Sequence, residues 1–331
     1  VNPSTSCYRI GLVDATVNPL PLAPLVRDTA YCKDATVVAL TAANLTSHTL
    51  GWYGTSASGG TYSSTAPTAL TTTVGDVSYY VSQKNNITTC ESPRAAIKVT
   101  INELPIAPII SNMAHEYDGL LHAGSASLAS SALTTDEIKW YTSLTGLEIA
   151  TAPTRKIFGN DSSYVEVENS VTKCKTSNRE IVKVNITKAP LTISGISAMD
   201  KVYDGTIAAS VSGTAVYSGL VAGENFNIIG TPNYVFVDNL VGLTKQVNVS
   251  GFDVPSINYL ITQPTLSANI TEKELTVIGL LGANKIYDGT KVATATGLAK
   301  LSGVIDADTA NVRLAGTAVC TFASKNVANA I

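Results

Sequence analysis

Internal repetition is the feature that most constrains how this chain of 331 residues can fold. The aromatic pair at Trp52–Tyr53 returns at Trp140–Tyr141 with similar flanking sequence. A second, unrelated repeat begins at Leu191 and returns at Leu275. Both repeats have a period of roughly 85 residues, which is long enough for a small self-contained domain instead of one coil of a solenoid.

The repeats predict the domain boundaries. Residues 20–105 and 106–190 form the first pair of units, and residues 191–274 and 275–331 form the second pair. Residues 1–19 resemble the closing segments of the first pair, so we interpret them as the tail of a preceding unit. The last unit is shorter than its counterpart and is expected to be incomplete. Prolines join neighbouring units almost directly and fix φ locally, so we expect an elongated array.

The chain is predicted to be all-β. Val, Ile, Thr and Tyr are abundant, and these residues favour half-buried strands. Two segments alternate apolar and polar residues with period two, which is typical of a strand with one buried face. The inward positions are Ile97, Val99 and Ile101 in the first segment and Val182, Val184 and Ile186 in the second.

A Tyr-Asp-Gly-Thr motif stands at the same place in both units of the second pair, at Tyr203–Thr206 and Tyr287–Thr290. Asp-Gly between strands predicts a hairpin turn because glycine accepts a positive φ, and the tyrosines are expected to pack inward. A calcium site with Asp204 and Asp288 as ligands is the alternative. One carboxylate per turn falls far short of the six to eight oxygen ligands of calcium, so the turn is favoured.

Charge and motif content exclude several classes of function. The formal net charge of −3 provides no basic surface for a phosphate backbone, so nucleic-acid binding is not expected. No apolar run approaches the roughly 20 residues of a membrane helix, so we expect no direct membrane insertion. The sequence lacks a G-x-S-x-G motif and paired zinc ligands such as C-x-x-C. We therefore expect no enzyme activity, no catalytic residue, no metal site and no cofactor.

The aromatic pairs of the first repeat allow two interpretations. Trp52 and Trp140 could stack on sugar rings, but their repetition within a strand pattern favours a place in the core. Alternation then puts Tyr53 and Tyr141 on the opposite face of the strand. These two tyrosines are the candidates for surface binding of a glycan.

Short motifs in repeat order resemble two known families. In residues 20–190, a cysteine near the first strand, WY on a middle strand, TAPT, YYVSQ and CES resemble the Ig-like repeats of secreted Bacteroidota proteins. Residues 191–331 resemble the YDG repeats of large bacterial surface proteins. The combination resembles the SprB-type gliding adhesins of Bacteroidota, which are exported by type IX secretion. The resemblance implies tandem Ig-like β-sandwich domains followed by YDG-type β domains, located extracellularly on the cell surface of a Gram-negative bacterium.

The five cysteines suggest one disulfide within these Ig-like units. Cys32 precedes the first core strand and Cys90 opens the last strand, so a Cys32–Cys90 disulfide is expected to clamp one end of the first unit. Cys174 and Cys7 then lack partners, and Cys320 is expected at a core position. The alternative is that all five are free thiols.

Two Asp-Thr-Ala segments, at Asp28–Ala30 and Asp308–Ala310, resemble the O-glycosylation motif of exported Bacteroidota proteins. The resemblance implies that Thr29 and Thr309 are acceptors. Chance occurrence of so short a motif is the alternative.

The expected function is mechanical. The chain is interpreted as a structural repeat segment of a large secreted adhesin, a stalk or load-bearing spacer in surface attachment and gliding motility. Its expected partners are the outer-membrane export and motility machinery and, through other parts of the chain, an external surface or polysaccharide. A glycan-binding module and an accessory region of a secreted enzyme are the alternatives.

Overall fold

The computed structural model describes residue 11 and residues 13–328, so Cys7 lies outside the described residues. Regular structure in the described part is almost entirely β-strand, with one short 3-10 helix at Asp306–Asp308. None of the described residues forms a helix that is long and apolar enough to cross a membrane. The all-β prediction is confirmed. The four units are called repeats 1 to 4 below, in chain order and with the boundaries predicted from the sequence.

Repeat 1 contains a four-stranded sheet with the order β1-β4-β3-β2. The last strand runs antiparallel to β3 but parallel to β1, so the first and last strands point in the same direction. The predicted inward residues Ile97, Val99 and Ile101 are each 1% exposed and form the core with Trp52. The strands are β1 (Thr29–Cys32), β2 (His48–Trp52), β3 (Gly75–Asn85) and β4 (Ala95–Asn102).

Repeat 2 contains a five-stranded sheet with the order β10-β9-β12-β13-β6 and the strand pairs β5-β8 and β7-β11. Val182, Val184 and Ile186 on β13 are fully buried, which confirms the second period-two pattern. The strands are β5 (Ile109–Ser111), β6 (Met113–Glu116), β7 (His122–Ala123), β8 (Ser125–Ser127), β9 (Asp136–Tyr141), β10 (Glu148–Ile149), β11 (Thr154–Arg155), β12 (Gly159–Asn169) and β13 (Glu180–Thr187).

Repeat 3 is built from two sheets, with the orders β16-β14-β19 and β15-β20-β18-β17. Each sheet contains one parallel pair, β14 with β19 and β15 with β20. Two apolar clusters fill the interior, one around Phe236 and Val247 and the other around Ile193 and Phe252. The strands are β14 (Ala189–Ala198), β15 (Lys201–Val202), β16 (Val211–Ser218), β17 (Ile229–Phe236), β18 (Gly242–Asp253), β19 (Tyr259–Thr262) and β20 (Thr265–Thr271).

Repeat 4 has two strand pairs, β21-β23 and β22-β24. Cys320, which was expected at a core position, is a half-buried free thiol in β24. The strands are β21 (Thr276–Gly282), β22 (Val292–Ala293), β23 (Ala295–Ser302) and β24 (Cys320–Thr321).

One polar contact ties an early strand (β1, β6 or β15) to the last strand in repeats 1, 2 and 3. A side-chain oxygen just before the early strand accepts a hydrogen bond from a backbone N–H in the last strand. This bond fixes the register of the two strands at one end. The acceptor–donor pairs are Asp28–Lys98 (2.9 Å), Asn112–Lys183 (2.8 Å) and Asp200–Asn269 (2.7 Å).

Packing divides the chain into two compact units. One unit holds repeat 1 and most of repeat 2. The other holds Ala114–Leu121, Lys156–Gly159 and the chain from Ile186 onward. The two short segments of repeat 2 therefore pack with repeats 3 and 4.

Glycines face each other across the first long strand pair of repeats 3 and 4. In repeat 3, the register shifts next to Gly195 (φ +81°), and a Cβ atom on Gly213 would lie 2.2 Å from the Gly195 carbonyl oxygen. In repeat 4, a Cβ atom on Gly297 would lie 2.2 Å from the Gly279 carbonyl oxygen. Only glycine permits this backbone approach at a positive φ.

A pair of alanine substitutions separates the steric contact from the backbone conformation. Gly223 has a similar φ of +89° but no atom within 4 Å of its Cβ position. Gly223→Ala should cost about 1–2 kcal/mol of folding free energy, the usual penalty for an L-residue in a left-handed conformation. Gly213→Ala should cost clearly more because a backbone carbonyl must also move. Urea unfolding of both variants measures the difference, and equal losses would contradict this account.

Candidate functional site

The disulfide joins repeat 1 to repeat 2 instead of closing repeat 1. Cys32 is bonded to Cys174, with 5.5 Å between their Cα atoms, and Cys90 is a half-buried free thiol. Both bonded cysteines belong to the same compact unit. The predicted Cys32–Cys90 disulfide is therefore wrong.

Strand direction explains the error. Cys32 pairs in register with Asn102 at the end of β4, whereas Cys90 precedes the start of β4 at Ala95. The length of β4 corresponds to roughly 23 Å at about 3.3 Å per residue. A disulfide requires Cα atoms within about 7 Å of each other, so the two cysteines of repeat 1 lie at opposite ends and cannot bond.

Cys90 and Cys174 occupy the same loop in their repeats. In each loop an asparagine side chain, Asn85 or Asn169, accepts backbone N–H bonds from the residues two and three positions further on. The residue before each cysteine has a positive φ, 62° and 60° respectively. The equivalence of Cys90 and Cys174 was the signal available in the sequence. Cys32 lies at the end of repeat 1 opposite to Cys90, so of these two cysteines only Cys174 can bond to it.

Tyr53 and Tyr141 do not present their rings to solvent. Their exposed fractions are 9% and 4%. The guanidinium carbon of Arg94 lies 3.3 Å from the Tyr53 ring centroid, and that of Arg179 lies 3.3 Å from the Tyr141 centroid. The prediction of surface binding at these tyrosines is wrong, because an arginine one residue before the last strand covers each ring. Trp52, by contrast, is in the core as predicted.

Each arginine also closes the loop that follows the tyrosine strand. Its guanidinium donates to two loop carbonyls in both repeats, so the stacked arginine is held from both sides. The acceptors are Ser56 and Gly59 for Arg94 and Ser143 and Gly146 for Arg179.

A carboxylate lies beside each tyrosine, but its sequence position differs between the repeats. In repeat 1, Glu91 accepts hydrogen bonds from the hydroxyls of Ser82 (2.6 Å) and Tyr53. In repeat 2, the position of Ser82 is taken by Glu166 and the position of Glu91 by Lys175, with 2.8 Å between the Lys175 ammonium and Glu166. Both repeats thus keep a carboxylate beside the tyrosine. In repeat 1 it is Glu91, and in repeat 2 it is Glu166, at the position equivalent to Ser82.

These contacts set the ionisation of the two carboxylates. Burial alone opposes ionisation, but hydrogen bonds from Ser82 and Tyr53 outweigh it and hold the pKa of Glu91 below its usual value. Burial is likewise outweighed at Glu166, chiefly by the hydrogen bond from Lys175, and its pKa is lowered. The bond to Glu166 in turn raises the pKa of Lys175. Both carboxylates are therefore charged at neutral pH.

The two Asp-Thr-Ala segments have different surroundings. Thr29 is half-buried in β1, whereas Thr309 is exposed and its hydroxyl donates to the Asp306 carbonyl (2.8 Å). Asp28 already accepts the Lys98 N–H, and Asp308 lines a cavity with Tyr203, whose pKa it raises. Glycosylation of Thr29 and Thr309 stays a prediction.

The Tyr-Asp-Gly-Thr motif is a braced turn, not a two-stranded hairpin. In repeat 3 it leads from β15, which pairs with β20, to Ala208, which bridges Val235 of β17. Gly205 has the predicted positive φ, +79°. The hairpin prediction is wrong because the strands before and after the turn pair with different partners.

A lysine that sequence reasoning missed braces this turn. Lys201 donates to Asp204 (2.8 Å) and to the carbonyls of Thr206 and Ala208. This ammonium and the Thr206 N–H lower the pKa of Asp204 to about 2. Repeat 4 has the same arrangement around Lys285 and Asp288, whose pKa is also lowered to about 2. The aspartate side chain therefore stabilises the turn.

A third Tyr-Asp-Gly triplet, missed in the sequence, stands at Tyr117–Gly119. The hydroxyls of Tyr117 and Tyr259 donate to the two carboxylate oxygens of Glu224. The two rings meet edge to face, 5.6 Å apart, and the Tyr259 hydroxyl accepts the Val221 N–H (2.8 Å). These residues belong to one compact unit.

This cluster shifts both tyrosines in the same direction. Burial and the Glu224 carboxylate raise the pKa of Tyr259 to about 12. The hydrogen bond to Glu224, with burial, raises the pKa of Tyr117. Both hydroxyls stay protonated and can donate over the whole physiological pH range.

These repeats define a tandem array of β domains of two kinds, and comparison with known families identifies both. The Ig-like domain described as CHU_C associated matches residues 21–102. The YDG domain matches residues 187–266 and 271–331. The chain is therefore a tandem Ig-like and YDG-domain protein. Among proteins with curated descriptions, none matches this chain.

Several solved multi-domain structures are similar to this chain at low identity. The titin I-band fragment I67-I69 is 10% identical, with 76% of this chain and 97% of that chain covered and a TM-score of 0.26. The N-terminal four Ig domains of Dscam1 isoform 6.44 are 16% identical, with 78% and 75% covered and a TM-score of 0.22. Drosophila N-cadherin EC1-4 is 12% identical, with 77% and 74% covered and a TM-score of 0.23.

Peptide mapping without reductant is expected to yield Cys32 linked to Cys174 and Cys90 as an alkylated thiol. The bonded cysteines are 142 residues apart, and the chain-entropy model gives about 5 kcal/mol for a loop of this length. Cys174→Ser should therefore lower the free energy of unfolding by several kcal/mol. Cys90→Ser changes the equivalent loop without removing a disulfide and should have little effect. A linked Cys32–Cys90 peptide would contradict the assignment.

Tyr259→Phe should cost about 1–3 kcal/mol because it removes the partner of the Val221 N–H and of one Glu224 carboxylate oxygen. The pKa of Tyr259 is about 12 in the fold and 10.0 as the reference value, so the folded state holds this proton more tightly. Its stabilising contribution is complete below pH 10 and is lost between pH 10 and 12. The stability difference between wild type and variant, measured by urea unfolding, should shrink across that interval. A difference independent of pH would refute the linkage.

Proposed function

We propose that this chain is a load-bearing repeat segment of a large secreted cell-surface adhesin, acting as a stalk or spacer in surface attachment and gliding motility. Its place is the exterior of a Gram-negative bacterium of the Bacteroidota, reached by type IX secretion. The Ig-like and YDG domains in tandem are consistent with this role. No catalytic role is part of the proposal.

The observation that carries the mechanical part of the proposal is the parallel pairing of terminal strands. In repeat 1 the first strand lies in register with the last strand from Thr29–Val99 to Cys32–Asn102. Tension applied at the two ends of such a domain pulls parallel neighbours in opposite directions. The backbone hydrogen bonds of the pair are then loaded together in shear, instead of being opened one at a time.

Repeat 3 also contains two parallel pairs, each between an early and a late strand of the domain. Its strand β14 pairs in parallel with β19, from Ala189–Tyr259 to Thr192–Thr262, and β15 pairs in parallel with β20. The side-chain cap from Asp200 to the Asn269 N–H closes this second pair. A domain of either kind therefore has the strand geometry that resists extension.

The Cys32–Cys174 disulfide supports an exported location. Disulfides form and persist in oxidising compartments and are rare in the cytosol. The bond also spans the connection between repeats 1 and 2, so tension along the chain bypasses that connection. We assign attachment to an external surface or polysaccharide to other parts of the protein, because Arg94 and Arg179 cover the tyrosines that could have stacked on sugars.

Force spectroscopy of the full chain, pulled from its two ends, tests the proposal. Asp28→Ala and Asp200→Ala remove the caps of the parallel pairs and should each lower the unfolding force of one domain. The Asp28→Ala comparison is made in the reduced chain, because the Cys32–Cys174 disulfide otherwise keeps the applied force off the β1–β4 pair. Asp161→Ala is the matched control, since this carboxylate accepts only the N–H of its exposed neighbour Ser162. Under oxidising conditions the 142 residues between Cys32 and Cys174 should add no length, and reduction should release roughly 470–510 Å.

Two results would defeat the mechanical proposal. One is extension of the reduced chain to its full length without discrete unfolding events. The other is an unfolding force that is unchanged in both cap variants. Protease treatment of intact cells tests the location separately, because a surface protein is digested while a cytosolic marker survives.

A further inference from the structure

The Tyr-Asp-Gly triplet lies at the same place in repeats 2 and 3. The backbone N–H of its tyrosine donates to the last strand, from Tyr117 to Thr187 (2.9 Å) and from Tyr203 to Thr271 (2.8 Å). The triplet thus directly follows β6 in repeat 2 and β15 in repeat 3, at the point where the last strand leaves the domain. A residue of the triplet can therefore touch the next repeat along the chain.

In both cases a carboxylate from the next repeat lies near the tyrosine. Tyr117 donates to Glu224, and Tyr203 and Asp308 line the same cavity. Glu224 and Asp308 occupy equivalent positions, each five residues after a glycine in the segments GLVAGE and GVIDAD. The carboxylate raises the pKa of Tyr117 and of Tyr203, which supports the same contact at both places.

The glycine of the triplet accepts an aliphatic side chain from the same segment of the next repeat. A Cβ atom on Gly119 would lie 3.1 Å from the Val221 side chain, and one on Gly205 would lie 3.5 Å from Ile305. Val221 and Ile305 precede the acidic residue by three positions in each case. Glycine is thus required here for the positive φ and also for this approach.

The contact between repeats 3 and 4 is a small two-sided site. It surrounds a cavity of about 300 Å³ that is lined from repeat 3 by Tyr203, Val241 and Glu272 and from repeat 4 by residues including Ile305 and Asp308. All of them belong to one compact unit. Tyrosine and glycine on one repeat therefore form a receptor for an acidic and an aliphatic side chain on the next.

We propose that Tyr287–Gly289 of repeat 4 is a third receptor of this kind, which binds the segment Gly-aliphatic-aliphatic-x-x-Asp/Glu of a following YDG repeat. The inference goes beyond the proposed function and does not depend on it. Tyr287 is 61% exposed, and no atom lies within 4 Å of the Cβ position of Gly289. The expectation that this tyrosine packs inward is therefore wrong for repeat 4 alone.

The turn of the third receptor has the same backbone conformation as the turns in repeats 2 and 3. Gly289 has a φ of +78°, against +79° for Gly205 and +77° for Gly119. Lys285 donates to Asp288 (2.8 Å) and to the Thr290 carbonyl (3.0 Å), as Lys201 does in repeat 3. The turn is thus braced without a partner, so binding requires little ordering of this segment.

The test extends the full chain so that repeat 4 is followed by another YDG repeat. Residues 246–274 are appended after Ile331 to complete repeat 4, and a second copy of residues 275–331 is appended after them. Nitration of tyrosines by tetranitromethane, followed by peptide mass spectrometry, measures the exposure of Tyr287. We expect at least fivefold slower nitration of Tyr287 in the extended chain than in a chain that is completed with residues 246–274 alone.

Two substitutions in the appended copy identify the contact. Asp308→Asn removes the charged acceptor and Ile305→Ser removes the aliphatic contact, and each should restore most of the nitration rate of Tyr287. Tyr203 in the same samples is the internal control and should stay protected. Asp308→Asn in the original repeat 4 should expose Tyr203 in the same way. Unchanged nitration of Tyr287 in the extended chain would overturn the proposal.

A second variant covers the case in which the appended repeat does not fold. A complete copy of residues 191–274 is inserted between Glu274 and Leu275 of the native chain. Glu224 of the inserted copy should then protect the original Tyr203, and Tyr203 of the inserted copy should meet Asp308. Nitration of the original Tyr203 as fast as in the Asp308→Asn variant would show that the receptor does not accept a new repeat, and would also overturn the proposal.

Discussion

The parallel pairing of an early strand with the last strand is the constraint on which the rest of this structure depends. In repeat 1 it sets Cys32 beside Asn102, and in repeat 3 it sets Lys201–Val202 beside Ile270–Thr271. The ends of β1 and β15 are thereby placed where the chain leaves the domain. A residue at or just after that end can contact the next repeat, and its chemistry decides how strongly consecutive repeats are joined.

That chemistry changes along the chain. Repeat 1 uses a covalent bond from Cys32, repeat 2 uses the Tyr117 hydroxyl donated to Glu224, and repeat 3 places Tyr203 beside Asp308. A disulfide holds at any pH but yields to reductant, while a hydroxyl–carboxylate bond is indifferent to reductant and requires a protonated tyrosine. The raised pKa of Tyr117 and Tyr203 keeps that requirement satisfied. The same backbone position thus supports two kinds of connection with different sensitivities.

The sequence predicted those features that depend on local periodicity and failed on those that depend on strand direction. Alternation placed Ile97 and Val184 in the core, because a strand with one buried face repeats every two residues whatever its neighbours are. Alternation contains no information about which way a partner strand runs, so Cys32 was paired with a cysteine at the opposite end of its domain. Alternation predicted an exposed Tyr53, but Arg94, which covers its ring, comes from a segment distant in sequence. Tyr117 was missed because repeat 2 was aligned with repeat 1, which has no Tyr-Asp-Gly triplet, and not with repeat 3, which has one.

The exchanged residues beside Tyr53 and Tyr141 have a consequence for folding fidelity. Adjacent domains with similar sequences are prone to misassembly, in which a strand of one is built into the other. If repeats 1 and 2 traded their closing segments, Glu91 would face Glu166, and Lys175 would face Ser82 with no carboxylate to neutralise it. The native partners are instead a hydroxyl with a carboxylate in one domain and a carboxylate with an ammonium in the other. Repeats 1 and 2 share a backbone fold, but a hybrid of the two would place like or unpaired charges beside the tyrosines. This electrostatic penalty favours pairing of each nascent domain with its own strands.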